Sequence, residues 1–225
     1  MNAMESRFVA GALVFGLSLA GAAPAWAASA LAAMPVGQSV NYHITTHSDK
    51  PPVAGGATST DNYVRIARAS ATTFNVQVDG APAGQIMLNP DGSLNVPASL
   101  KKVMAPFGEA GLLMRGAPAP LAPASSWAAT VPVPLGDATD NVTATVGVSQ
   151  YGANGATIVA NGQNATEVKP GLREHPADVD YSATLHFNAA HVLTSANRTI
   201  SVAVKKGAFR TKNSSNSWTL ALAGQ

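Results

Sequence analysis

The chain of 225 residues contains no cysteine. Disulfide bonds therefore cannot hold the fold together, and its stability has to come from packing and hydrogen bonding. The absence also excludes a lipoprotein, because in that class the lipid is attached to a cysteine directly after the signal sequence. We expect a soluble, unanchored product.

Charged residues are scarce and nearly balanced, with 14 Lys and Arg against 12 Asp and Glu and a net charge of +2. This charge is too small and too scattered for a nucleic-acid footprint, so no nucleic-acid partner is expected. The sequence also has no Gly-x-Ser-x-Gly elbow and no phosphate-binding loop ending in Lys-Ser/Thr. These absences favour a non-enzymatic protein without a cofactor.

Long apolar runs are missing as well, except near the N-terminus. There, residues 8–20 are apolar, follow a charged start ending in Arg7 and precede Ala25-Trp26-Ala27, the small-x-small pattern of a signal peptidase site. The run is shorter than the about 20 residues of a membrane-spanning helix. It predicts a signal peptide at 1–27, a single β-rich domain at 28–225 and no permanent membrane anchor after processing. The protein is then periplasmic or secreted, and its Ala-rich, Lys-poor composition suggests a bacterial source.

Alternation of apolar and polar residues dominates the rest of the chain. Two segments show the two-residue period of half-buried strands especially clearly. Their apolar residues are Val142, Ala144, Val146 and Val148 in the first, and the odd-numbered residues from Val179 to Phe187 in the second. About ten or eleven such strands are expected, and clean alternation is typical of antiparallel sheets with one wet face. The predicted fold is mainly β: a curved antiparallel sheet (half-barrel) or a β-sandwich. Residues 51–59 and 162–176 are interpreted as loops, and 152–155 as a hairpin connection.

One segment near 97–115 breaks this pattern and predicts a helical insertion. Leu100, Val103, Met104 and Phe107 stand at i, i+3, i+4 and i+7, on one helical face. Pro106 should weaken or end that helix. Residues 109–115 could then form a second short helix.

The apolar cluster of this insertion is the strongest candidate for a binding site. Its flexible methionines suit an adaptable surface against a lipid or another apolar small molecule. The alternative is that the helix is plain core and that the protein is structural, or an adaptor that contacts another envelope protein. The candidate ligand-binding residues are Leu100, Val103, Met104, Phe107, Leu112, Leu113 and Met114.

Other chemistry has weaker signals. His43 and His47 share a strand face but lie about 13 Å apart, too far to bind one metal ion together. A site pooling His175, Asp178, Asp180 and His186 is conceivable, although solvated surface histidines are the favoured interpretation and no metal is expected. The Ser-x-x-Lys spacing of Ser99 and Lys102 would suit a serine hydrolase, but it is short and common by chance.

The order of elements resembles periplasmic lipoprotein-carrier and lipid-shuttle proteins. The resemblance rests on the mid-chain helix with its proline-rich exit, on Ser126-Trp127 opening the second half, and on the strand at 181–188 that turns into Leu193-Thr194. It implies a curved antiparallel sheet of about eleven strands whose hollow is covered by a helix. No residue role is carried over from that family.

Overall fold

A computed structural model describes residues 31–49, 58–135, 138–168, 175–205 and 211–223, so the predicted signal peptide lies outside the described residues. The described residues form eleven strands and, between the fifth and sixth, a short 3-10 turn, Ala98–Leu100, that leads into helix α1, Lys101–Met114. The strands are β1 Ser39–Ser48, β2 Thr58–Arg68, β3 Thr73–Val78, β4 Ala81–Leu88, β5 Leu94–Asn95, β6 Ser126–Leu135, β7 Ala138–Gly152, β8 Gly155–Val168, β9 His175–Asn188, β10 Leu193–Lys205 and β11 Thr211–Leu222.

All eleven strands belong to one antiparallel sheet in the order β5-β4-β3-β2-β1-β11-β10-β9-β8-β7-β6. Each strand pairs with its neighbour in sequence, except that β5 does not pair with β6 and that β1 pairs with β11. The sheet is therefore two meanders joined at one seam, where Thr46 stands opposite Trp218. It is curved and unclosed, which confirms the predicted mainly β fold with one helical insertion and, of its two predicted forms, selects the curved sheet over the β-sandwich.

The predicted alternation decides which face of each strand is buried. In β9, Val179, Tyr181 and Leu185 face the inside of the curve and are buried. Their partners across β10 include Val202 and Ile200, which are buried as well. A shift by one residue would turn these side chains to water, so the apolar pattern fixes the register.

The two predicted loops are shorter than the sequence indicates. β8 continues to Val168 and pairs with His175 at the start of β9, so the loop prediction is wrong for 162–168 and 175–176, while 169–174 lie outside the described residues. Thr58 and Ser59 likewise belong to β2, and 51–57 are not described. The missed residues are mostly polar and therefore show no apolar pattern. They still form strands because the hydrogen bonds of the ladder come from the backbone and need no apolar side chains.

Helix α1 passes through Pro106 without a break. Of the two predicted effects of Pro106, weakening or ending the helix, the ending is therefore wrong, and so is the separate second helix at 109–115. Proline removes one helical hydrogen bond, whose acceptor would be the carbonyl of Lys102, an exposed residue that water can reach. Pro106 itself is buried, together with Met104 and Phe107 on the same helix. Burial of this continuous face offsets the lost bond. In the described ranges, no helix is long and apolar enough to cross a membrane.

The helix crosses the strands and shows how strongly the sheet curves. Phe107 contacts Tyr42 of β1, Glu109 contacts Trp218 of β11, and Leu113 contacts Trp127 of β6. In a flat sheet β6 and β11 would lie about 24 Å apart, five spacings of ~4.8 Å. Glu109 and Leu113 are separated by only about 6 Å along the helix. The edge strand β6 therefore curls up to meet the helix.

Candidate ligand site in the hollow of the sheet

The predicted apolar face of α1 lies against the concave side of the sheet. Leu100, Met104, Phe107, Leu113 and Met114 are buried, whereas Val103 and Leu112 are half-buried. The structure thus brings six of the seven predicted residues together in or against the core, whereas Leu112 is only half-buried and does not share their packing. Whether they bind a ligand remains a prediction.

Aromatic packing fixes the middle of the helix over the seam of the sheet. The rings of Tyr42 and Phe107 meet edge to face, with centroids 4.9 Å apart. The Tyr42 hydroxyl donates a 3.0 Å hydrogen bond to the carbonyl of Leu193. Burial raises the pKa of Tyr42 well above its usual value, so this hydroxyl stays protonated.

A polar cluster lies inside this apolar surrounding, and its centre is the carboxylate of Glu109 on α1. The Tyr181 hydroxyl donates to Glu109 Oε1 over 2.6 Å, and the Trp218 indole N–H donates to Oε2 over 3.1 Å. Arg198 Nε lies 3.5 Å from Oε1. We call Glu109, Tyr181, Arg198 and Trp218 the Glu109 cluster.

The sheet register assembles the three partners of Glu109. Arg198 stands directly opposite Trp218 on β11, and Ile200, the next inward residue of β10, stands opposite Tyr181 on β9. The Arg198 guanidinium also lies over the Trp218 ring, with its carbon 5.8 Å from the ring centre. Three neighbouring strands thus direct their polar atoms to one point beneath the helix.

Arg198 is an unusual residue for the inside of a sheet. Its side chain is 8 % exposed, and Nη1 donates to Asn216 Oδ1 over 2.7 Å. Its Nε is buried and has no hydrogen-bond partner among the described residues. Burial lowers the pKa of the guanidinium, while Glu109 and Tyr181 raise it. A buried charge with part of its donor capacity unused is energetically unfavourable unless something completes it.

Tyr181 acts as a donor in this cluster. Burial first, and then the neighbouring Glu109 carboxylate, raise its pKa far above the usual value. The hydroxyl therefore keeps its proton at every physiological pH. The sheet side of the cluster consists of an O–H, an N–H and a guanidinium, which together suit an oxyanion.

The histidines lie away from this cluster. His43 and His47 share the outer face of β1, as predicted; His43 pairs with Asp61 and stacks on Tyr63, and His47 pairs with Asp49 over 3.0 Å. Hydrogen bonds from Ser215 and His47 lower the pKa of Asp49. These contacts account for both histidines without a ligand.

The conceivable pooled site on β9 does not assemble. Asp178 pairs with Lys205 over 2.8 Å, Asp180 accepts a hydrogen bond from Gln163, and His186 contacts Thr157. His175 is a strand residue at the start of β9 rather than part of a loop. Within the described residues, no three His, Asp or Glu side chains converge in a way that could hold a metal ion.

Ser99 and Lys102 do not meet as a nucleophile and base. Ser99 lies in the 3-10 turn and Lys102 in the first turn of α1, and both side chains are exposed. A serine nucleophile needs a base within hydrogen-bond reach and a site that shields the reaction from water. The second condition is not met at this exposed position.

Sequence reasoning missed the Glu109 cluster. Glu109 stands 72 residues from Tyr181 and 109 residues from Trp218, so no short motif connects them. One signal was present: Arg198 stands in the row of inward-facing residues of β10, between the buried Ala196 and Ile200. A charged residue in an apolar row is the pattern that points to a buried polar partner.

Comparison of the chain with protein-family models, with curated proteins and with solved structures found no match. The site therefore has to be interpreted from its own geometry.

Proposed function

We propose that this protein is an exported, non-enzymatic carrier that holds a lipid or another apolar molecule between the concave face of its sheet and α1. The observation that supports this most is the difference in size between the sheet and the helical layer that covers it. A sheet normally buries its apolar face against a layer of comparable size. Here one amphipathic helix crosses a sheet of eleven strands.

The concave face is longer than the helix is wide. Beyond Arg198, every second side chain of β10 faces the concave side, and these residues are Ile200, Val202 and Val204. At ~3.3 Å per residue, this apolar row extends about 20 Å beyond Arg198. An α-helix with its side chains is about 10 Å across. These residues are already buried, so an acyl chain would lie along β9 and β10 only by displacing the side chains that now cover them.

The contacts that hold α1 suit a helix that can move away from the sheet. Its centre is fastened by the polar contacts of the Glu109 cluster and by the packing of Phe107 on Tyr42, and its apolar face includes the flexible side chains of Met104 and Met114. Methionine adapts to different shapes more easily than branched side chains do. Such a helix can leave the sheet and pack again over a ligand.

The edges of the sheet give less support to the alternative of an envelope adaptor that pairs strand to strand. Edge strand β6 carries Pro132 and Pro134 on its outward face, and a proline in an edge strand has no N–H to offer a partner. The opposite edge strand, β5, has only two residues. Both features are typical of edges that resist pairing.

The carrier function is tested by native mass spectrometry of the protein purified from the cell envelope. A bound lipid that is released on unfolding is expected. The stripped protein should then bind the apolar probe N-phenyl-1-naphthylamine, and a lipid extract should displace it. Protein that never carries a lipid and shows no saturable probe binding would contradict the proposal.

The variant for this test should change a half-buried residue. Met104→Glu would bury an unpaired charge at a position that is 1 % exposed and would unfold the protein. Val103→Gln changes a half-buried residue that packs against the core and should weaken probe binding about fivefold, equivalent to roughly 1 kcal/mol of lost apolar burial. Lys102→Gln, on the exposed side of the helix, is the matched control and should bind like the wild type.

A further inference from the structure

The sheet presents three donors to one point, and the group that occupies this point is a carboxylate. Tyr181 O–H, Trp218 N–H and the Arg198 guanidinium surround the two oxygens of Glu109 at 2.6, 3.1 and 3.5 Å. Glu109 belongs to the helix, and the three donors belong to the sheet. The carboxylate would leave this point if the helix moved away.

The fit between Glu109 and Arg198 is incomplete. The shortest distance of the pair is 3.5 Å, and the buried Nε makes no hydrogen bond within the described part of the chain. An arginine fork is best satisfied by two oxygens in its own plane at hydrogen-bond distance. The cluster can therefore accept an oxyanion that is free to orient better than a side chain tethered to α1.

We propose that the Glu109 cluster is the binding site for the acidic headgroup of an amphiphile, a carboxylate or a phosphate at the end of an acyl chain, and that Glu109 occupies this site until the ligand displaces it. This inference rests on the proposed carrier function. It adds the ligand class, because the O–H, N–H and guanidinium donors of the sheet suit an acidic headgroup.

The surroundings of the cluster fit both parts of such a molecule. The headgroup oxygens would accept from Tyr181, Arg198 and Trp218 in place of Glu109. The chain would extend along the inward residues next to them, Val179 on β9 and Ile200 and Val202 on β10. Exchange of one carboxylate for another leaves the cluster charge unchanged, so chain burial is free to drive binding.

Once the headgroup is bound, Glu109 and the helix are released to cover the chain or to expose the site to a partner. The carboxylate of Glu109 is then a competitor built into the protein. Its removal should strengthen the binding of acidic amphiphiles more than that of neutral ones, which gain only from the looser helix.

The experiment compares three ligands of equal chain length on the stripped, full-length mature protein at pH 7.5: oleate, oleoyl lysophosphatidate and oleyl alcohol. Displacement of N-phenyl-1-naphthylamine gives the three affinities. Wild-type protein should bind at least one of the two acids about tenfold more tightly than the alcohol, the effect of one hydrogen-bonded charge. The order of oleate and lysophosphatidate identifies whether the site prefers a carboxylate or a phosphate.

Two variants test the assignment of residues. Glu109→Gln keeps the shape of the side chain but loosens the fastening of α1, so it should tighten the binding of all three ligands, and the acids several-fold more than oleyl alcohol. Tyr181→Phe keeps the ring and removes one donor, and should weaken the acids by about fivefold with no change for the alcohol. Far-ultraviolet circular dichroism confirms that each variant is folded, and Tyr63→Phe, an exposed tyrosine on the outer face, is the matched control.

The outcomes separate the two proposals. Equal binding of all three ligands, unchanged in Glu109→Gln, would overturn the headgroup site and leave the carrier function standing. Absence of binding for all three would overturn both.

Discussion

The indole N–H of Trp127, in edge strand β6, donates a 2.6 Å hydrogen bond to the carbonyl of Leu113 in the last turn of α1. The last four carbonyls of a helix have no partner within the helix, and this bond supplies one. It also ties the end of the helix to the free edge of the sheet. The helix is thus held at its end by Trp127 and in its middle by Glu109.

We predict that Trp127→Phe destabilises the protein by about 1–2 kcal/mol, because the ring is largely retained while the Leu113 carbonyl loses its donor. Urea denaturation followed by circular dichroism measures this loss. Thr130→Ala, on the outer face of the same strand, should change the free energy of unfolding by less than about 0.5 kcal/mol. Equal effects of the two substitutions would show that the indole bond does not hold the helix.

The two buried tyrosines predict a loss of stability at alkaline pH. The pKa values of Tyr42 and Tyr181 are raised in the folded protein, so the unfolded chain releases these protons first, near its ordinary pKa of 10.0. The free energy of unfolding should therefore fall above about pH 10 by up to about 1.4 kcal/mol per pH unit for each tyrosine. Below pH 10 this contribution is fully present.

Urea denaturation between pH 8 and pH 11 measures that fall. In Tyr181→Phe, the free energy of unfolding should fall less steeply with pH above pH 10, by the contribution of one proton. This holds whatever the change in absolute stability. Tyr63→Phe, which is 58 % exposed, serves as the control and should keep the wild-type slope. An unchanged slope in Tyr181→Phe would contradict the assignment of Tyr181 as a buried, protonated donor.

The hairpin between β7 and β8 offers a matched pair of glycines. Gly155 has a φ of +126°, and a Cβ placed on it would lie 1.9 Å from the carbonyl oxygen of Phe187. Gly155→Ala should therefore cost about 2–4 kcal/mol through backbone strain and displacement of β9. At Gly152 a Cβ would meet open space, so Gly152→Ala should be within about 1 kcal/mol of wild type. Thermal melting compares the two, and similar melting temperatures would be the contrary result.

Arg68 anchors the segment that precedes β1. Its guanidinium donates to the carbonyls of Ala32 and Met34 and lies 5.4 Å from the ring centre of Phe74. We expect Arg68→Gln to lower the free energy of unfolding by at least about 2 kcal/mol, since hydrogen bonds to a charged group are lost.

Hydrogen exchange resolves where the effect of Arg68→Gln lies. Amides of residues 31–38 should exchange faster in the variant, while those of β9 and β10 change little. Arg65→Gln is the control, because Arg65 is exposed and its guanidinium bonds the side chain of Ser39. Slow exchange of residues 31–38 in Arg68→Gln would mean that other contacts hold this segment.

The export hypothesis has its own measurement. N-terminal sequencing of protein recovered from outside the cytoplasm should begin at Ala28, directly after Ala25-Trp26-Ala27. Recovery of protein that keeps residues 1–20 would refute the predicted cleavage.

The strands were predictable wherever an apolar row marks one face. Val142, Ala144 and Val146 alternate with polar residues, and β7 follows that pattern. The end of β8 was not predicted because polar residues, Asn164 and Thr166, stand in its inward-facing row. When both faces of a strand are polar, the sequence shows no two-residue period. The passage of α1 through Pro106 was missed because local propensity favoured a break, whereas burial of the whole helical face decided the outcome.

The helical half of the candidate site was predictable, and its polar centre was not. Leu100, Met104 and Phe107 follow from helical spacing alone. The meeting of Glu109 with Arg198 depends on strand pairing and on the curvature of the sheet, which act between residues far apart in sequence. Only the inward position of Arg198 in β10 hinted at it.

The seam between β1 and β11 bears on the order of events while the chain is made. Synthesis proceeds from the N-terminus, so β1 emerges early and pairs with β2, but its other partner is the last strand to appear. Until then β1 offers an open ladder in the middle of the future sheet, and no strand pairing joins the two meanders. Completion of the sheet is therefore tied to arrival of the final strand, and a chain truncated before Thr211 would leave β1 open to pairing with a neighbouring molecule.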